Sequence, residues 1–214
     1  MKMKKTCVIL VILAAASASF ADPVVYNAGF ESPDTADTVW LPLLGDQVGS
    51  QGWEFYAGVG GLQSGIAQEQ TTFTAGIDAV DGEQVGVMWC PNDTIVQNVF
   101  GFAIGTTYDV SWYEIGRHNA NSADTSLKVQ MDGIDIMASH LVEGVDKGNG
   151  WVFQTLEFTA TDTVHRLGFV QAAGWDEMAI IDNVSIAAIP EPATLGLFAL
   201  LGGAMFWIRK RSTI

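Results

Sequence analysis

Positive charge is scarce through most of this 214-residue chain. All 24 acidic residues lie between Asp22 and Glu191, but only Arg117, Lys128, Lys147 and Arg166 of the ten basic residues do, so that span carries a net charge of −20 before histidine. Such a field opposes nucleic acid and anionic lipid, and it favours solubility and divalent cations. Cysteine is scarcer still, with Cys7 and Cys90 alone. Cys7 falls in the N-terminal leader described next, so no disulfide can form within the remaining chain. Three histidines, His118, His140 and His165, lack ligand spacing, and no Gly-x-Ser-x-Gly, His-Glu-x-x-His or phosphate-cradling loop occurs. Zinc sites and Ser-His-Asp chemistry are therefore unsupported. Between Asp22 and Ala188 no apolar stripe persists at helical period for three turns, which excludes a helical body.

Long hydrophobic runs occur only at the two ends. Lys2, Lys4 and Lys5 precede an apolar run from Cys7 to Ala16, and small residues follow to Ser19-Phe20-Ala21. This is the pattern of a secretory signal peptide over residues 1–21, a short helix cleaved after Ala21. At the other end, Pro190-Glu191-Pro192 precedes sixteen uncharged residues, Ala193 to Ile208, and then Arg209-Lys210-Arg211. A helix of that length is roughly 24 Å long, near the thickness of a bilayer core. With Trp207 and the basic cluster as anchors, it reads as a single C-terminal transmembrane helix.

That tail, residues 189–214, resembles the PEP-CTERM sorting signal of exported bacterial proteins. The resemblance implies recognition of Pro190, Glu191 and Pro192 by an exosortase, a membrane transpeptidase that cuts near the motif and removes the helix. It also implies passage through the inner membrane to the cell surface or the extracellular polysaccharide matrix. The two prolines forbid helix at the motif and hold it extended. A plain single-pass anchor is the alternative.

The body, residues 22–188, is long enough for one domain with a core. Thr107 to Tyr113 and Ser126 to Met131 alternate apolar with polar at period two, as half-buried antiparallel strands do. Asp132-Gly133 before Ile134 to Met137 is a hairpin signal, because that turn needs positive φ. Further strands are expected at Gln84–Met88, Ile95–Val99, Val152–Phe158, His165–Val170 and Ala179–Ile186. Nine or ten short strands indicate an all-β, two-sheet antiparallel sandwich. Ser32 to Ser50 reads as a loop excursion and Ala187 to Pro192 as a linker.

The body is similar to the galactose-binding-like jelly roll of many bacterial carbohydrate-binding modules. The similarity rests on Asn27-Ala28-Gly29-Phe30-Glu31, Gly52-Trp53, Asp81-Gly82, Ile95-Val96-Gln97, Gly105-Thr106-Thr107-Tyr108, Asp132-Gly133, Phe158-Thr159-Ala160 and Ile181-Asp182-Asn183-Val184-Ser185-Ile186. It implies a jelly roll that binds carbohydrate, with Glu31 and Asp182 at the places where related modules hold a structural calcium ion. Calcium takes six to eight oxygens, so two carboxylates would be part of its shell. The alternative is a solvated turn residue and a strand cap.

Sugar recognition needs flat aromatic faces and sparse directional hydrogen bonds. Trp112, alternating with Tyr108 and Val110, reads as core, and Trp53 as core or loop anchor. Trp40, Trp89 and Trp175, in Gly-, Pro- and Asp-bearing segments, are the candidate platform. Arg117, His118 and Asn119, after the strongest strand, supply a guanidinium, an imidazole and an amide for vicinal hydroxyls; a loop tied by an Arg–acid pair is the competing reading. Two other functions compete with a binding module. A structural matrix protein needs no discrete ligand site. A glycan hydrolase needs two carboxylates facing across a cleft, and with 24 acids some pair is always eligible by chance. Cys90 has no local basic group to activate it and reads as an inert thiol.

Overall fold

The alternation seen in the sequence becomes burial in the structure. In the strand from Thr107 to Arg117, Tyr108, Val110 and Trp112 are buried while Asp109 is exposed. The computed structural model describes residues 22–35, 40–42, 52–59, 64–71, 74, 76–117, 125–144, 150–174 and 177–190. The signal helix, the transmembrane helix and the residues Glu191, Pro192, Arg209, Lys210 and Arg211 lie outside these; Pro190 is described and exposed.

Eleven strands stand among the described residues: β1 Trp40–Pro42, β2 Trp53–Tyr56, β3 Gly65–Gln68, β4 Gln84–Met88, β5 Thr94–Phe100, β6 Thr107–Arg117, β7 Ser126–Met131, β8 Ile134–Leu141, β9 Val152–Thr159, β10 Val164–Ala173 and β11 Met178–Ala188. All pair antiparallel, in a six-stranded sheet ordered β1-β3-β4-β11-β6-β9 and a five-stranded sheet ordered β2-β5-β10-β7-β8. From β4 onward the chain crosses between the sheets at every connection except the β7–β8 hairpin, as a jelly roll does. That hairpin turns on Asp132 (φ 55°) and Gly133 (φ 78°), the positive-φ pair the sequence calls for. Three strands are absent from the sequence reading. β2 occupies Trp53–Tyr56, where only a core or loop anchor is expected at Trp53. β1 lies inside the stretch expected to be loop, and β3 has no alternation to read because Gly65, Ile66 and Ala67 are all buried.

Residues Ala21 to Ile189 form one compact unit. Its main core, between the sheets, is built on Trp53, Trp112, Tyr108, Phe30, Phe55 and Phe169, all less than 2 % exposed. Each such side chain contributes roughly 1.5–3 kcal/mol on burial. Phe30 stacks on Trp53 at 5.1 Å, and Trp112 meets Phe169 edge-on at 5.5 Å. Trp53 donates from Nε1 to the Asn27 carbonyl, so its polar end is satisfied inside the core. Cys90 is buried and in no disulfide.

A second apolar cluster lies outside the six-stranded sheet. Ala67, Val85, Val87, Ile115, Met178 and Ile180 gather there, and Ile77, Ala79, Trp89 and Trp151 pack against them. The excursion between β3 and β4 thus covers that face, fastened by Trp151 Nε1 donating to the Asp78 carbonyl at 2.8 Å.

Candidate functional site

The outward face of the five-stranded sheet carries a different set of side chains. In β2, Trp53 and Phe55 point into the core, so Glu54 and Tyr56 point out. Register places Tyr56 opposite Thr94, Glu54 opposite Val96, Val96 opposite Gly168 and Gly168 opposite Gln130. All of these but Glu54, with Asp132, Gly133 and Arg166, line a cleft of about 430 Å³.

Its floor is shaped by Gly168, in the middle strand of the sheet. A Cβ there would lie 3.1 Å from Val96 Cγ1 and 3.8 Å from Gln130 Cβ, so a side chain would fill the hollow that the glycine leaves. Glycine within a strand often marks such a close approach.

The walls are braced by hydrogen bonds. Arg166 Nη2 donates to Glu54 Oε2 at 2.6 Å and to Tyr56 Oη at 3.2 Å, and Tyr56 Oη donates to Glu54 Oε2 at 2.5 Å. The guanidinium also lies 5.6 Å from the centre of the Tyr56 ring, a cation–π contact. Tyr56 is nonetheless 41 % exposed, so its ring is held and still reachable. Across the cleft, Gln130 Nε2 donates to Asp135 Oδ1 at 2.6 Å, and Lys128 Nζ lies 3.3 Å from the same oxygen.

The hairpin rim is tied to the core. Asp132 accepts from the Arg166 amide at 2.8 Å and meets His165 Nδ1 at 2.6 Å. His165 Nε2 accepts from the Thr161 and Asp162 amides, so the ring proton sits on Nδ1 and is donated to Asp132. Phe102 and Phe158 meet the His165 ring edge-on at 5.0 and 4.8 Å. Asp132, on the cleft rim, and Glu54, beside the cleft, both accept these hydrogen bonds.

Sequence reasoning missed this cleft. Its available signal was Arg166, one of four basic residues in the body, two residues from a glycine within an alternating strand. The candidates singled out from the sequence lie elsewhere or outside the described residues. Trp89 packs against the second apolar cluster, beyond the six-stranded sheet. Arg117 ends β6 in that same sheet, with Nη1 3.6 Å from Met178 Sδ. Neither lines the cleft. Trp40 is described only as backbone in β1, and His118, Asn119 and Trp175 fall outside the described residues. Glu114, at the head of that polar segment, is interior: it accepts from Trp112 Nε1 at 2.8 Å and Gln154 Nε2 at 2.9 Å, and its Oε1 is 2.6 Å from His140 Nε2.

Glu31 and Asp182 do meet on one turn. Glu31 Oε1 accepts from the Glu83 and Gln84 amides at 3.0 and 2.8 Å, while Asp182 Oδ2 accepts from the Val80 and Asp81 amides at 2.7 and 3.0 Å. Burial raises the pKa of Asp182 to about 7, and that of Glu31 also rises, with the Asp81 charge adding to both. The pair supplies two of the oxygens calcium needs; no group of three or more acidic, histidine or cysteine side chains arranged to hold a metal occurs among the described residues.

No protein-family model and no curated protein matches the chain. Solved structures similar to it include the CBM22-1 xylan-binding domain of Paenibacillus barcinonensis Xyn10C, at 17 % identity over 66 % of this chain and 88 % of that one, with a TM-score of 0.46. The CBM22-1–CBM22-2 tandem of the same protein matches at 17 % identity over 82 % and 49 %, TM-score 0.49. TmCBM61, solved with β-1,4-galactotriose, matches at 14 % identity over 79 % and 100 %, TM-score 0.47.

Proposed function

We propose that this chain is an exported, non-catalytic protein whose β-sandwich binds polysaccharide in the cleft of the five-stranded sheet. The observation that carries the reading is the Tyr56 ring, braced by Arg166 and Glu54 beside the hollow at Gly168. An aromatic face of this kind stacks on the C–H face of a sugar, and the fixed guanidinium, carboxylates and amide around it orient hydroxyl groups. The purified full chain is expected to bind saturably to at least one member of a polysaccharide panel that includes its own matrix polymer. Tyr56→Ala should weaken that binding about tenfold, the loss of roughly 1.4 kcal/mol of stacking and packing, while Trp89→Ala leaves it unchanged. If no polysaccharide binds, or if the Trp89 variant loses binding and the Tyr56 variant does not, the cleft is not the site and a structural matrix protein becomes the better reading.

Export and sorting belong to the same proposal and rest on the sequence: the leader at residues 1–21, and Pro190-Glu191-Pro192 with the apolar run and basic cluster after it. The tail directs the body to an exosortase and so to the surface or matrix. Deleting residues 190–214 should move the protein from the membrane fraction to the soluble exported fraction with the body still folded; a truncated chain that stays in the membrane would refute this. A structural calcium ion at Glu31 and Asp182 completes the proposal, because a cation there would offset the burial and, to a lesser extent, the Asp81 charge that raise both groups.

A further inference from the structure

The open face of the five-stranded sheet can be divided into rows running across its strands. Tyr56, Thr94, Val170 and Lys128 form the first, and Glu54, Val96, Gly168 and Gln130 the second. Asn98 and Arg166 form the third. The fourth is Val24, Phe100 and Val164, joined by the β5–β10 pairing and by a bridge from Val24 to Phe100. Residues alternate along each strand, so all four rows point the same way, outward. The first three rows supply most of the cleft lining. The fourth extends the same face beyond it and is apolar yet open, with Phe100 58 % and Val24 56 % exposed.

Two aromatic rings therefore bracket the face. Six residue steps along β5, from Thr94 to Phe100, separate the Tyr56 row from the Phe100 row, which at about 3.4 Å each is roughly 20 Å. Between them lie the glycine hollow and the polar Asn98–Arg166 row. That length exceeds a single sugar and suits several units of an extended chain.

Charge narrows the chemistry of that chain. The two basic side chains on this face each end on a carboxylate, Arg166 on Glu54 and Lys128 on Asp135. Asp132 adds another acid at the rim, and the span from Asp22 to Glu191 carries a net −20. A uronate or sulfated polymer would meet repulsion here, whereas a neutral one would not.

We propose that Phe100, flanked by Val24 and Val164, is a second stacking subsite, so that the face takes the interior of a neutral polysaccharide chain laid along β5 and β10. The proposal rests on the carbohydrate-binding reading of the cleft and adds the length, direction and charge of the ligand.

Calorimetric titration of the full chain with neutral homo-oligosaccharides of glucose, xylose, galactose and mannose, two to six units long, tests it, with oligogalacturonate as the anionic counterpart. Affinity for the neutral series that binds should rise at least tenfold from two units to six. Phe100→Ala should erase that gain while leaving the two-unit affinity within twofold, and Phe100→Tyr should restore it. Tyr56→Ala should weaken every length. Affinity that does not grow with length, a Phe100→Ala loss equal at all lengths, or tighter binding of oligogalacturonate would each overturn the second subsite while leaving the cleft as a sugar site. Failure of every oligosaccharide to bind would overturn the carbohydrate reading itself.

Discussion

On the six-stranded sheet the outward side chains Val85, Val87, Ile115, Met178 and Ile180 are buried; on the five-stranded sheet the outward Tyr56, Arg166 and Phe100 face solvent. Both faces arise from the same period-two alternation, and the difference lies in what the connections do. The excursion between β3 and β4 brings Ile77 and Ala79 onto the first face, and Trp151 and Trp89 join them. Asp182 fastens that cover by accepting the Val80 and Asp81 amides. The comparison teaches that large aromatics are poor guides to a site in this chain. Of the tryptophans whose side chains are described, Trp53 and Trp112 fill the core and Trp89 and Trp151 pack on the covered face, while Tyr56 and Phe100 are the exposed rings on the open one.

The sharpest way to break the comparison is to place one charge on each face. Val87→Asp puts a carboxylate into the covered cluster without a partner, which should cost at least about 3 kcal/mol and leave little folded protein. Asn98→Asp puts the same group on the open face and should change stability by no more than about 0.5 kcal/mol. Urea unfolding of the two variants reads the contrast directly, and equal losses would mean that the second face is not open.

The same contrast explains what the sequence could and could not reveal. Strands with one wet face are legible because alternation survives: β7 was expected at Ser126–Met131 and stands there, and the Asp132-Gly133 turn follows from its need for positive φ. Gly65-Ile66-Ala67 in β3, covered on both sides, carries no such signal, although β4, also covered on both sides, is expected and found at Gln84–Met88. The cleft was hidden for another reason. Tyr56, Val96, Gln130 and Arg166 come from four strands, and each taken alone is an ordinary outward residue. Only the register of β2, β5, β10 and β7 brings them together. Glu31 and Asp182, far apart in sequence, both accept amides of the 80–84 turn, whereas Glu114, near the end of the strand that precedes Arg117, faces the interior.

Smaller effects separate the cover from the core by pH. The Asp182 carboxyl titrates at about 7 in the folded chain, against about 3.9 when unfolded. Between those values the folded state holds the extra proton, so stability declines as pH rises from about 4 to about 7, by on the order of 4 kcal/mol. His140 adds a second decline. Its hydrogen bond to Glu114 raises its pKa above the usual histidine value, so the stability it contributes is complete below about 6.5 and is lost as pH rises through the higher folded value. That bond ties β8 to β6, one strand from each sheet, and is expected to be worth about 1 kcal/mol. Thermal melts from pH 4 to 9 should show both slopes: Asp182→Asn should flatten the lower window and His140→Gln the upper one. Millimolar calcium should raise the melting temperature at pH 8 and not at pH 4 if it sits beside Asp182, because it favours the ionised form. A cover fastened by Asp182 should loosen across the lower window while sugar affinity on the open face holds steady. Parallel loss of both would show that the two faces are coupled through the sandwich and are not independent.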